Sequence, residues 1–99
     1  MLSKIIQQTF STVKHKLTLV RNGETIWNKD KKWVGWVDIP LSSFGIKEIK
    51  ECAKLLKTNG EKYDIVYTSV LGRAIKSTNY ILDELDIHYV PVVKDWRLN

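Results

Sequence analysis

The sequence predicts an α/β fold, a mostly parallel sheet with flanking helices, and three observations carry that prediction. Short β-rich runs at 17–20, 64–68 and 88–93 alternate with two stretches whose apolar residues recur at helical spacing. The resulting order of strand, helix, strand, helix, strand favours parallel pairing through helical crossovers. Neither a repeat nor a low-complexity segment nor a linker divides the chain.

Taken in order, residues 1–15 read as an amino-terminal extension and residues 16–99 as the domain. Through Lys16 the chain carries Lys4, Lys14 and Lys16 and no acid, and Leu2, Ile5, Ile6, Phe10 and Val13 can share one helical face. That face would suit a mitochondrial presequence, but the segment has no arginine, and a cytosolic, partly disordered extension is the preferred expectation. It is too polar for a secretory signal or a membrane span. Leu17 to Val20 is an apolar run between basic residues and a glycine turn, which predicts a buried strand feeding a loop. The loop from Gly23 to Leu41 has no periodicity and holds three tryptophans, two glycines and a proline, the composition of an ordered binding loop.

Ile46, Ile49, Ala53 and Leu56 then mark an amphipathic helix, with Ser42 or Ser43 as its N-cap and Asn59-Gly60 as its stop. Asp64 to Thr68 is the second strand. Leu71, Ile75, Thr78, Leu82 and Leu85 give the next helix its apolar face, with Ser69 at the N-cap position. In the third β-rich run Pro91 removes one ladder donor, which predicts a sheet edge or a strand end.

Composition narrows the function classes. The net charge of +5 suits an anionic ligand, and the dispersed lysines argue against nucleic acid. A hydrophobic content of 43% argues against disorder. Cys52 is alone, so no disulfide can form within the chain, and a reducing, cytoplasmic compartment fits. His15 and His88 are isolated, without metal-ligand spacing, and no metal site is expected. A domain of about 100 residues buries only about 60 to 70% of its extended surface, so the closure of this core is in question.

Arg21 directly follows the first strand and Arg73 lies in the first turn after the second. Both guanidinium groups can therefore converge at the carboxyl ends of parallel strands, where ligands of such sheets bind. Arginine suits a phosphate clamp because its planar fork matches phosphate oxygens and is charged at every relevant pH. The bland alternative is a solvated surface charge. Trp27, Trp33, Trp36 and Trp96 are expected to serve buried packing rather than a stacking surface.

Three blocks of sequence sharpen this reading. Leu19-Val20-Arg21-Asn22-Gly23-Glu24-Thr25 with Ile26-Trp27-Asn28 and Gly35-Trp36-Val37-Asp38-Ile39-Pro40-Leu41-Ser42 is the first. Tyr67-Thr68-Ser69-Val70-Leu71-Gly72-Arg73-Ala74 is the second, and Val90-Pro91-Val92-Val93 ending in Trp96-Arg97-Leu98-Asn99 is the third. Together they resemble the cofactor-dependent phosphoglycerate mutases of the histidine phosphatase superfamily, from about Lys16 to Asn99.

The resemblance implies part of a three-layer sandwich and a family reaction that interconverts 3-phosphoglycerate and 2-phosphoglycerate through a phosphohistidine primed by 2,3-bisphosphoglycerate, without metal. It implies Asn28 as a phosphate contact, Thr25 and Gly35 as substrate-side contacts, and Asn22 at the place of the phosphohistidine. Asparagine cannot take that role, because its amide nitrogen lone pair is delocalised into the carbonyl. In the family the general acid and a second His-Gly follow the Trp-Arg-Leu-Asn block, so these residues correspond to less than half of a family domain.

Val34 and Gly72 also depart from the family pattern, the latter at a cost of roughly 1 kcal/mol to a helix start relative to alanine. The resulting expectation is a catalytically inactive chain. As partners it leaves a phosphorylated ligand such as phosphoglycerate, and a homo-oligomer or pairing with a full-length mutase through an unfinished sheet edge. Neither nucleic acid nor a membrane is expected as a partner.

Overall fold

The computed structural model describes residues 5–10, 15–30 and 35–99. In chain order the elements are strand β1 (Ile5–Phe10), strand β2 (His15–Val20), the short helix α1 (Ile26–Lys29), helix α2 (Ser43–Thr58), strand β3 (Val66–Thr68), helix α3 (Gly72–Leu85), strand β4 (Val92–Lys94) and a closing 3₁₀ turn, Trp96–Leu98. The α/β class and the parallel pairing of the second and third runs are present: β3 and β4 run parallel, Val66 opposite Val92 and Thr68 opposite Lys94.

The first run departs from expectation. β2 does not join that sheet and instead forms an antiparallel pair with β1, from Ile5 opposite Val20 to Phe10 opposite His15. Ile5, Ile6 and Phe10, expected on a helical face, lie on this strand, while Leu2 and Val13 fall outside the described residues. The β-branched content of Ile-Ile-Gln-Gln-Thr-Phe favours extended backbone, and a partner adjacent in sequence costs little loop entropy. Nor is β2 buried as predicted: Leu17 and Leu19 are 48% and 50% exposed.

The core lies between and beneath the helices. α2 packs along α3 and buries Ile49, Ala53 and Leu56 of the predicted stripe together with Cys52, with Gly45 at its start, while Ile46 is partly exposed. Burial pushes the Cys52 thiol pKa up, in keeping with a small apolar role. A second cluster of Leu82, Ile87 and Val90 collects Tyr63, Val66, Leu85 and Val92, joining the end of α3 to the parallel strands.

The helix ends show which capping signals decide. Ser42 is the N-cap of α2, its Oγ accepting the Gly45 N–H at 3.0 Å, and Asn59 with Gly60 at φ +69° closes the helix. Ser42→Ala is expected to lower stability by about 1 kcal/mol, and a urea or thermal melt read by circular dichroism checks it. For α3 the N-cap is Leu71, not Ser69, and the Leu71 side chain makes no capping hydrogen bond. The Ser69 Oγ is taken by the Leu71 N–H, 3.1 Å away, so the serine builds a turn before the helix and the first helical residue moves to Gly72. Pro91 stands where predicted, at a strand end, and its carbonyl accepts the Val66 N–H at 2.9 Å.

The tryptophans depart from expectation too. Trp36 and Trp96 are 64% and 57% exposed and meet edge to face, ring centres 5.7 Å apart. Trp27 is half-buried, and Trp33, like Val34, lies outside the described residues. No helix among the described residues is long and apolar enough to cross a membrane.

Candidate functional site

The site is assembled where β2 ends. Gly23 and Gly45 pass so closely that a Cβ on either would collide with the other's segment, on the Gly45 carbonyl in one case and the Glu24 backbone in the other. Around this contact the Ser42 N–H donates to the Glu24 carbonyl at 2.8 Å, the Glu24 N–H donates to Glu48 Oε1 at 3.0 Å, and Thr25 bridges Leu41. The loop after β2 is thereby fixed to the first turns of α2. Thr25 is completely buried, at 0% exposure.

On the other side the Gly23 N–H donates to Ser77 Oγ at 3.4 Å, and that hydroxyl donates to the Arg73 carbonyl at 2.7 Å. Asn22 is half-buried, and its Nδ2 donates to the Gly23 carbonyl at 2.6 Å. Arg21 is exposed. Both line a groove of about 780 Å³ that runs between β2 and β3, with Ser69, Ser77 and Arg97 also on its walls.

Arg97 is a residue that strand-end reasoning did not single out, although it stands within the quoted Trp-Arg-Leu-Asn block. Its guanidinium makes a two-pronged pair with the Asp95 carboxylate, at 2.9 and 2.6 Å. Those bonds hold the Asp95 pKa below its ordinary value and the Arg97 pKa above. The Arg97 backbone N–H also donates to Asp95.

Arg73 is placed differently. Its guanidinium is largely buried and donates to the Val37 carbonyl at 2.7 Å and to the Gly35 carbonyl at 2.6 Å. The structure therefore brings Arg21 and Asn22 together on the groove, and sets Arg73 and Gly35 together beside it in the loop. Ser77 connects the two groups. For Asn28 the structure gives a backbone position, in α1.

The start of α3 is also occupied from within. Asp38 Oδ1 accepts the Gly72 N–H at 2.8 Å, so a carboxylate of the chain sits at the positive end of this helix. A side chain at Gly72 would press a Cβ to 3.1 Å from that oxygen, which gives the glycine a steric reason.

No group of three or more His, Cys, Asp or Glu able to hold a metal occurs among the described residues. His88 pairs with Asp83 at 2.6 Å on the exposed side of α3, and neither histidine lines the groove.

Residues 17–99 match the model of the histidine phosphatase superfamily, branch 1. Among solved structures, the chain is similar to a phosphoglycerate mutase from Bacillus anthracis str. Sterne, with 28% identity and a TM-score of 0.72, over 79% of this chain and 34% of that one. It is similar to an Entamoeba histolytica phosphoserine phosphatase, solved with 3-phosphoglyceric acid, with 35% identity and a TM-score of 0.60, over 75% of this chain and 34% of that one. A mycobacterial glucosyl-3-phosphoglycerate phosphatase, solved with VO3, shares the fold with a TM-score of 0.68 at 24% identity, over 80% of this chain and 35% of that one. The chain spans about a third of the length of these structures.

Proposed function

Because this chain belongs to branch 1 of the histidine phosphatase superfamily, we propose that it is a non-catalytic relative of the phosphoglycerate mutases that retains a weak site for a phosphorylated acid. The observation that carries the proposal is Asn22 at the end of β2: an amide, hydrogen-bonded through Nδ2 to its neighbour's carbonyl, beside the exposed guanidinium of Arg21. An amide in that place can hydrogen-bond a phosphate but cannot accept a phosphoryl group. Asn22 thus does not fit the covalent role of 2,3-bisphosphoglycerate, and no step is assigned to that molecule other than binding.

Among the described residues, the one carboxylate on the groove is Asp95, which is engaged by Arg97, and no histidine or glutamate lines the walls. What supports binding is that Arg21, the Asp95-paired Arg97 and the Ser69 hydroxyl all line the groove, residue types suited to phosphate oxygens. The mutase reading, in preference to the phosphatases of the family, rests on the Trp-Arg-Leu-Asn block and the tryptophan loop.

The expected result is binding of 2,3-bisphosphoglycerate in the micromolar-to-millimolar range, measured by calorimetry and weakened by salt. Arg21→Ala should weaken it roughly tenfold or more, the worth of one charge-assisted hydrogen bond. Neither the chain nor its Asn22→His variant should convert 3-phosphoglycerate. Turnover by Asn22→His would overturn the non-catalytic reading, and affinity unchanged by Arg21→Ala would overturn the site.

A further inference from the structure

The groove carries a fixed negative charge that phosphate binding does not require. Three strand ends open onto it: Arg21 directly follows β2, Ser69 directly follows β3, and Asp95 directly follows β4, with Arg97 just beyond it. Ligands of α/β sheets gather at such ends, and two arginines there would by themselves favour a ligand with two phosphates. Asp95 opposes that preference.

Asp95 is pinned through its backbone and through its side chain. Its N–H donates to the Thr68 carbonyl at 2.9 Å, which ties it to the end of β3. Its Oδ1 accepts the Arg97 N–H at 2.9 Å and caps the closing 3₁₀ turn. Neither bond uses the guanidinium, so the carboxylate keeps its place even when the arginine turns elsewhere. An ordinary surface ion pair lacks that property, because both of its side chains are free to part.

The guanidinium then closes on the carboxylate through Nε and Nη2, at 2.9 and 2.6 Å. One fork of Arg97 is thereby filled and its charge matched. The Arg97 side chain is 73% exposed and that of Asp95 only 25%, so the arginine is the freer member of the pair and the carboxylate the anchored one. The arginine's hydrogen bonds hold the Asp95 pKa below its ordinary value, and the negative charge persists at neutral pH.

We infer that Asp95 sets the ligand class of this groove, admitting acids with one phosphate and discriminating against those with two. The inference rests on the phosphate-binding role proposed for the groove and names the ligand class of that same site. Arg21, exposed and without an ion pair among the described residues, receives the first phosphate. A second phosphate drawn to Arg97 meets a carboxylate that already holds one fork and cannot withdraw. Repulsion between the two anions offsets the attraction of the arginine, and selectivity comes from that repulsive element.

Calorimetric titration of the 99-residue chain with 3-phosphoglycerate and with 2,3-bisphosphoglycerate tests this. In the unmodified chain the second phosphate should improve affinity by no more than about threefold. Asp95→Asn removes the charge but keeps an oxygen for the Arg97 N–H, so it should widen that ratio about tenfold and preserve the cooperative melt. Asp95→Ser, a second uncharged cap, should widen it as well and decides the matter should the asparagine variant fail to fold. Adding Arg97→Gln to either variant should return the ratio to its starting value, which a general loss of negative charge would not do. A ratio unmoved by the Asp95 variants, or a widening that survives Arg97→Gln, overturns the role of Asp95 and leaves the phosphate site standing. Binding of neither acid by any of these chains overturns the phosphate site itself, and this inference with it.

Discussion

Gly45→Ala is expected to abolish the cooperative melt of this chain. In a helix interior that change ordinarily stabilises by about 1 kcal/mol. Here Gly45 lies in the first turns of α2, where an added Cβ falls on the Glu24 carbonyl, nitrogen and carbonyl carbon, all backbone atoms. Backbone cannot rotate aside as a side chain does. The Glu24 segment is also held from three directions, by Ser42, by Glu48 and through the Thr25 bridge to Leu41. Separating the two segments would break those bonds and open the buried pocket of Thr25, a cost in the range above about 4 kcal/mol that few single substitutions reach. Typical domains are stable by only 5–15 kcal/mol, roughly, so little would remain. Gly60→Ala is the internal comparison: it has open space around it and a left-handed φ of +69°, and should cost only about 1–2 kcal/mol. Urea melts of both variants check the contrast, and equal, small losses would show that the Gly23–Gly45 contact is not a fastening point.

That contact marks a limit of what the sequence could reveal. α2 was legible because its stripe and its caps are local features: Ile49, Ala53 and Leu56 recur at helical spacing, and Ser42 and Asn59 bound them. The pairing of β3 with β4 was legible because a helix separates two β-rich runs. The partner of β2 was not, since Ile5, Ile6 and Phe10 fit a helical face as readily as a strand, and only the ladder to β2 decides. The start of α3 was misplaced by two competing uses of a serine, capping a helix and closing a turn, which look alike in sequence. At the site, Arg21 was visible as a strand-end arginine and Asn22 through the resemblance, and both line the groove, whereas Arg73, expected to converge with Arg21, turns its guanidinium to the Gly35 and Val37 carbonyls. The carboxylate of Asp38 at the head of α3 and the Asp95–Arg97 pair depend on distant or turn geometry that carries no periodic signal. The exposed edge-to-face pair of Trp36 and Trp96 shows the same limit, because residue type alone pointed to burial.

Arg73→Ala is the second large effect expected, and it separates two roles that one arginine can have. As a direct phosphate ligand, Arg73 would contribute to affinity and little to stability. In this structure its guanidinium is largely buried and bridges the Gly35 and Val37 carbonyls, which makes it a strut for the loop that ends at Leu41. Hydrogen bonds from a charged donor are worth roughly 1.5–3 kcal/mol each, and losing two of them from a buried site should cost about 3 kcal/mol. For a domain of this size that lowers Tm by more than about 10 °C. Arg73→Lys discriminates further, because an ammonium keeps the charge but cannot span two carbonyls with a planar fork. The strut predicts that lysine recovers little of the lost stability, and that the near-ultraviolet signal of the Trp36–Trp96 pair falls in both variants as the loop loosens. A phosphate ligand predicts the reverse: stability near that of the unmodified chain and affinity partly restored by lysine. Arg21→Ala supplies the complementary case. Arg21 is exposed and makes no hydrogen bond or ion pair among the described residues, so its removal should lower ligand affinity and leave Tm within about 2 °C. If Arg73→Ala lowered affinity alone and left the melt unchanged, the guanidinium would have to leave the two carbonyls to reach the ligand, and the loop would be held by something other than Arg73.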